Sequence, residues 1–167
     1  MSVVPSRRRT ALGERLGGFI YGTILSLAVL IGGVKAFPHS AWHIVVLLTV
    51  TAVVFWLAHV YSHSLAHVVS QDRHLSLAEL RLIGRPESSI IEAAIPPVAA
   101  MLLAAFGLLS TRTAGWIAYG LGLAVLTASG LIFARVERLG WLATLVVVVL
   151  NVALGLALVI LKLVVTH

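Results

Sequence analysis

Cysteine is absent from the 167-residue chain, which excludes disulfides, thiolate metal sites and redox dithiols together. Charge is scarce as well. Asp, Glu, Lys and Arg supply 11% of the residues, against about 25% in soluble domains, so a water-facing surface cannot be built from this chain. Also missing are a Walker motif, a Gly-x-Ser-x-Gly elbow, a His-Glu-x-x-His pair and a Gly-x-Gly-x-x-Gly turn. Serines are frequent, but none sits in the motif context of a nucleophile, and the expectation is that the chain is not an enzyme.

Apolar residues are what the chain has in abundance, at 60% of the total with a mean hydropathy of +1.06. A spanning helix needs about 20 apolar residues, and five segments meet that length: 16–34, 41–69, 89–109, 113–134 and 141–164. The fold class expected is an all-α integral membrane bundle of about five transmembrane helices, forming one domain over 1–167. Arg7, Arg8 and Arg9 precede the first segment, and Val34-Lys35-Ala36 has some likeness to a cleavage site. The apolar run is longer than the roughly 7–15 residues of a signal-peptide core, so it reads as a retained first helix.

The net charge of +6 has a membrane explanation rather than a nucleic-acid one. Arg7, Arg8, Arg9, Arg15, Arg73, Arg81, Arg85, Arg135 and Arg138 fall on one side of the predicted topology, and only Lys35, Arg112 and Lys162 on the other. That bias places the N-terminus inside and the C-terminus outside. Trp42, Trp116 and Trp141 fall at predicted helix ends, as interfacial aromatics do. Lys162 is expected to snorkel outward.

Between the second and third spans, Ser76-Leu77-Ala78-Glu79 has the capping-box pattern. Leu77, Leu80 and Ile83 follow at helical spacing and Gly84 offers a stop, which predicts a short cytoplasmic amphipathic helix over 76–84. Pro86 then fits the first turn of the third span.

Polar groups inside a bilayer are expensive, so each is a candidate for function. His59, His63 and His67 recur every four residues on the second helix and share one face. His67 is expected at the headgroups, leaving His59 and His63 embedded. Glu92 is the one acid predicted well within a span, at a matching depth on the third helix. Pro96 and Pro97 follow it and free the carbonyls of Glu92 and Ala93 as possible cation or water ligands. Tyr21, near the cytoplasmic end of the first helix, can complete the group. As a metal site, two His and one Glu form a minimal set for a divalent ion, so the expectation is no cofactor. Bis-His haem is disfavoured, because His43 and His59 point about 160° apart and no other predicted span contains a histidine. Asn151, in mid-span of the fifth helix, is expected to hydrogen-bond across helices, with pore lining as a lesser role. Gly18 and Gly22 form a Gly-x-x-x-Gly motif that allows close helix approach, within the chain or in an oligomer.

The run Phe55-Trp56-Leu57-Ala58-His59-Val60-Tyr61-Ser62-His63 and the ending Leu158-Val159-Ile160-Leu161-Lys162 resemble segments of small multi-pass integral membrane proteins of high-GC Gram-positive bacteria. The resemblance implies a bacterial cytoplasmic (inner) membrane and no particular activity; the preference for Arg over Lys is in keeping with it. The partners expected are therefore the lipid bilayer and further copies of the chain or a larger membrane complex, with no nucleic acid. The leading expectation of function is a small channel or transporter for protons or cations. In it Glu92 accepts the ion and His59 and His63 relay protons, since imidazole changes charge near neutrality. The alternative is a non-transporting accessory or structural subunit of a larger membrane complex.

Overall fold

In the computed structural model, which describes residues 7–71 and 77–165, the chain forms five helices. These are α1 (Arg7–Ala36), α2 (Ala41–Gln71), α3 (Leu77–Ala105), α4 (Thr111–Val136) and α5 (Trp141–Val165). Four stretches are long and apolar enough to cross a membrane: Leu12–Ala36, Ala41–Val68, Glu87–Ala105 and Thr111–Val136. In α5 the apolar stretch among the described residues is Trp141–Ala157. The 31 residues of α2 extend about 46 Å, well beyond a hydrocarbon core of about 30 Å.

Short turns make α1 and α2, α3 and α4, and α4 and α5 antiparallel. After α3, Leu108 N–H donates to the Leu103 carbonyl and Gly107 N–H to that of Ala104. This is a Schellman closure, and Gly107 takes the positive φ of 78° that it requires. The end of α4 closes in the same way, with Arg138 at φ 51° in the glycine position. Ser110 starts α4, its hydroxyl accepting from Thr113 N–H at 3.1 Å.

The expected separate helix over 76–84 is not what forms. One continuous helix runs through Gly84 and Pro86 to Ala105, so Gly84 is no stop and Pro86 no first-turn residue. The glycine is held in helix by α2: its carbonyl accepts from Trp56 Nε1 at 3.4 Å, and Val60 and Trp56 lie against its open side. Pro86 removes a single ladder bond, which a helix packed on its neighbours tolerates. Ser76, the expected cap, lies outside the described residues.

Inside a bilayer, apolar side chains gain nothing from leaving lipid for protein, so helices associate through close approach and polar contact. Glycines provide the approach. A Cβ at Gly18 would stand on Ser89 Oγ, and one at Gly22 would lie 2.8 Å from the Ile90 carbonyl oxygen and 2.9 Å from its Cα. The Gly-x-x-x-Gly pair thus makes an intramolecular contact, α1 against α3, running parallel. On the other side of α1, Gly122 of α4 admits Leu27 and Gly115 admits Val34, in antiparallel register. Gly130 receives Val148 and Asn151 of α5. Leu27, Leu30, Ile44, Leu48, Met101 and Leu126 fill the shared centre and are almost fully buried. Outward faces, including Val46, Val50, Leu57, Leu145, Val149 and Ile160, are apolar and exposed, as contact with lipid requires.

At Gly22 the obstacle is backbone, which cannot swing aside. Gly22→Ala is expected to lower stability in detergent or bicelles by about 1–3 kcal/mol through overpacking. Gly120→Ala, with nothing within 4 Å of the new methyl, is expected to be neutral or slightly stabilising. Unfolding midpoints of the two variants check this, and equal losses would contradict the packing described.

Candidate functional site

Tyr21, His59, His63, Glu87 and Glu92 lie toward one end of α1, α2 and α3. Tyr21 and His59 meet at a tilt across the α1–α2 seam, with ring centroids 4.9 Å apart and planes inclined at 50°. The Phe55 ring, one turn before His59 on α2, lies 6.3 Å from that of Tyr21. His59 Nδ1 is 3.1 Å from the Phe55 carbonyl one turn back. An N–H at that position donates to the carbonyl, which leaves Nε2 as the acceptor of the neutral ring. His63 follows one turn on, its ring centroid 6.5 Å from that of His59. Its Nδ1 lies 3.1 Å from Glu87 Oε1 on α3. The Glu87 carboxylate is well shielded and His63 is largely exposed, with side-chain exposures of 12% and 57%. Glu87, His63, His59 and Tyr21 therefore form a line of neighbours drawn from three helices.

Glu92 does not belong to this line. It faces α1, where Arg15 Nη2 donates to its Oε2 at 2.9 Å. Ser88 Oγ lies 2.9 Å from Oε1 of the same carboxylate and 2.9 Å from the Arg85 carbonyl. The reason is helical geometry. Five residues separate Glu87 from Glu92, which turns them about 140° apart, so one acid serves α2 and the other α1. The expected metal set of His59, His63 and Glu92 is thereby not assembled, and among the described residues no three His, Asp or Glu side chains stand close enough to hold an ion. Cation binding at Glu92 is further opposed by the guanidinium already neutralising it.

His67 sits one more turn toward the end of α2 and is half-buried. Asn151 is 9% exposed and seated where α4 has no side chain, its Nδ2 2.9 Å from the position a Gly130 Cβ would occupy. No hydrogen bond among the described residues involves the Asn151 amide, so the cross-helix bond expected of it is replaced by packing. The helix stays intact through Pro96 and Pro97. A groove of about 210 Å³ opens between α2 and α3, lined by Ala52, Val53, Ala94, Ile95 and Val98 among others. Its lining is apolar apart from Thr49, whose hydroxyl is turned to the Val45 carbonyl at 2.8 Å, and it offers nothing to a charged solute.

Glu87 and Arg15 are the site residues that sequence reasoning did not single out. Their signal was depth. With α3 continuing back to Leu77, Glu87 lies about as far from the α2–α3 connection as His63 does, and the antiparallel pair brings them level. No known protein family, curated protein or solved structure matches the chain, so a function must be argued from this geometry.

If Arg15 and Glu92 act as a pair, their loss is not additive. Arg15→Gln and Glu92→Gln are each expected to destabilise the protein, and the double variant no more than the worse single one. The coupling measured in a double-mutant cycle is expected to be about 1 kcal/mol, given how exposed both groups are. Fully additive losses would mean that the contact contributes nothing.

Proposed function

We propose that the chain is a five-span protein of a bacterial cytoplasmic membrane, N-terminus inside and C-terminus outside, that moves protons. The line Glu87, His63, His59 and Tyr21 forms the cytoplasmic half of the path. The observation that carries this is the succession of four titratable side chains stepping inward from the end of the spans, joined by one hydrogen-bond-range contact and two ring contacts. A carboxylate at the mouth collects a proton, and His63 takes it at Nδ1 and releases it from Nε2. The step to His59 spans ring centres 6.5 Å apart, which suits one bridging water. His59 presents Nε2 as acceptor, because its Nδ1 is turned to the Phe55 carbonyl. Tyr21 ends the line about two and a half turns into the α1 span. Imidazole suits such a relay because it exchanges protons near neutral pH.

Protons are favoured over metal cations because the one deep carboxylate, Glu92, already holds an arginine. The rival reading, an accessory subunit without transport, takes the same polar contacts as helix fasteners. The Arg15–Glu92 pair, which ties α1 to α3 apart from the line, is the observation in its favour.

Purified protein in liposomes with an internal pH dye separates the two. Wild-type protein is expected to dissipate an imposed pH gradient. His63→Ala and Glu87→Gln are expected to slow that flux about tenfold or more, since each removes a proton carrier, while Glu92→Gln, off the line, retains most of it. No flux from wild type, or equal flux in every variant, would overturn the proton reading and leave the accessory one.

The orientation has its own check. In a chain without cysteine, His39→Cys in the α1–α2 turn is expected to react with a membrane-impermeant thiol reagent in intact cells. Arg138→Cys in the α4–α5 turn is expected to react only after permeabilisation. The reverse pattern would invert the topology.

A further inference from the structure

Gly18 and Gly22, the pair that could have served an oligomer, are occupied inside the chain by α3. A second pair, Gly13 and Gly17, remains. Both are exposed, and nothing lies within 4 Å of where a Cβ would stand on either. The same outward side of α1 carries Glu14 and Tyr21, seven residues apart and so nearly in line along the helix. Glu14 is exposed and makes no ion pair among the described residues. Tyr21 is 40% exposed despite its contacts with His59 and Phe55. Across the seam, Ala58 and Ser62 of α2 are small and exposed beside His59 and His63. The polar line of one chain is thus open on its outward side, where lipid offers no hydrogen-bond partner.

We infer that a second copy of this chain covers that face, α1 and α2 against α1 and α2, about a two-fold axis along the membrane normal. The inference rests on the proton reading only for its consequence, the enclosure of the line between two walls of protein. Two features of the face select a second copy as its occupant. Small residues on both helices allow backbones to approach, as helix association in membranes requires. The face is also complementary to itself in charge, with an acid on α1 and imidazoles on α2. From the Tyr21–His59 contact, seven residues toward the cytoplasm on each antiparallel helix reach Glu14 and Ala66, with His63 within one turn of that level. A two-fold axis along the normal leaves every residue at its own depth, so Glu14 of one copy meets His63 of the other, and the contact is made twice. Glu87 takes the Nδ1–H of His63, so the second carboxylate binds at Nε2 only when the ring carries both protons and both nitrogens donate.

The absence of native cysteine makes the test clean. Gly17→Cys and Ser62→Cys, oxidised in native membranes, are each expected to give a covalent dimer as the main product. Val149→Cys, on the lipid-facing side of α5 and 54% exposed, is expected to give several-fold less. Equal yields at the three positions, cross-links to other proteins only, or no dimer would overturn the inference. Gly17→Ile supplies a second measure, because the open space at Gly17 lets one copy fold with the larger side chain. It is expected to turn a dimer into a monomer in mild detergent while Gly120→Ile does not, and a monomeric wild type would count against the proposal. Cross-linked dimers without proton flux would remove the relay and leave the dimer standing. Flux from a protein that is monomeric by both measures would do the opposite.

Discussion

How closely α1 can approach α3 decides where most of the other groups in this molecule come to lie. Gly22 brings the two backbones to a separation that a single methyl would forbid, and Gly18 makes room for Ser89 one turn away. In a bilayer, where burial of apolar surface drives nothing, this fit, the α4 glycines that admit Leu27 and Val34, and the Arg15–Glu92 pair hold α1 in place. With α1 drawn onto α3, Tyr21 in the N-terminal half of α1 meets the Phe55 and His59 rings of α2. The seam outside those rings stays open, and the polar groups along it are presented outward.

The two acids of α3 illustrate how a helix divides its work by angle. Glu92 faces α1 and is neutralised by an arginine, which makes it a fastener. Glu87 faces α2 and meets a histidine, a partner that can take or release a proton. An imidazole exchanges its proton near neutral pH, whereas a guanidinium stays protonated. A function that depends on protons would therefore use the α2 side and leave the α1 side as scaffold. The groove farther along the α2–α3 seam supports the same division, since Thr49 is its one polar lining residue and its hydroxyl is bonded within α2.

Much of the architecture was legible in the sequence, because length, hydropathy and the spacing of charge clusters are one-dimensional properties. Helix bounds fall within a few residues of expectation in α2, α4 and α5, and the close-packing role of Gly18 and Gly22 could be read from their spacing. The site was legible only in part. Tyr21, His59 and His63 do gather, because residues four apart on α2 share a face and Tyr21 lies at the right depth on α1. Glu92 was misassigned because depth alone does not specify azimuth, and the direction in which it faces is set by how α3 rotates against α1. Glu87 was hidden by the expected break at Gly84, which placed it at the very start of the third span rather than within a longer helix. That glycine stays helical because Trp56 bonds its carbonyl from another helix, a tertiary contact that no local pattern announces.

The division of α3, with Glu87 given to the histidines and Glu92 to α1, can be measured directly in lipid. Solid-state NMR on bilayer samples, with 15N in the histidine rings and 13C in the glutamate side chains, reads dipolar coupling between His63 Nδ1 and each carboxyl carbon. Strong coupling is predicted from His63 to Glu87, whose carboxylate oxygen lies 3.1 Å away, and none to Glu92. Strong coupling to Glu92, with Glu87 uncoupled, would contradict that division.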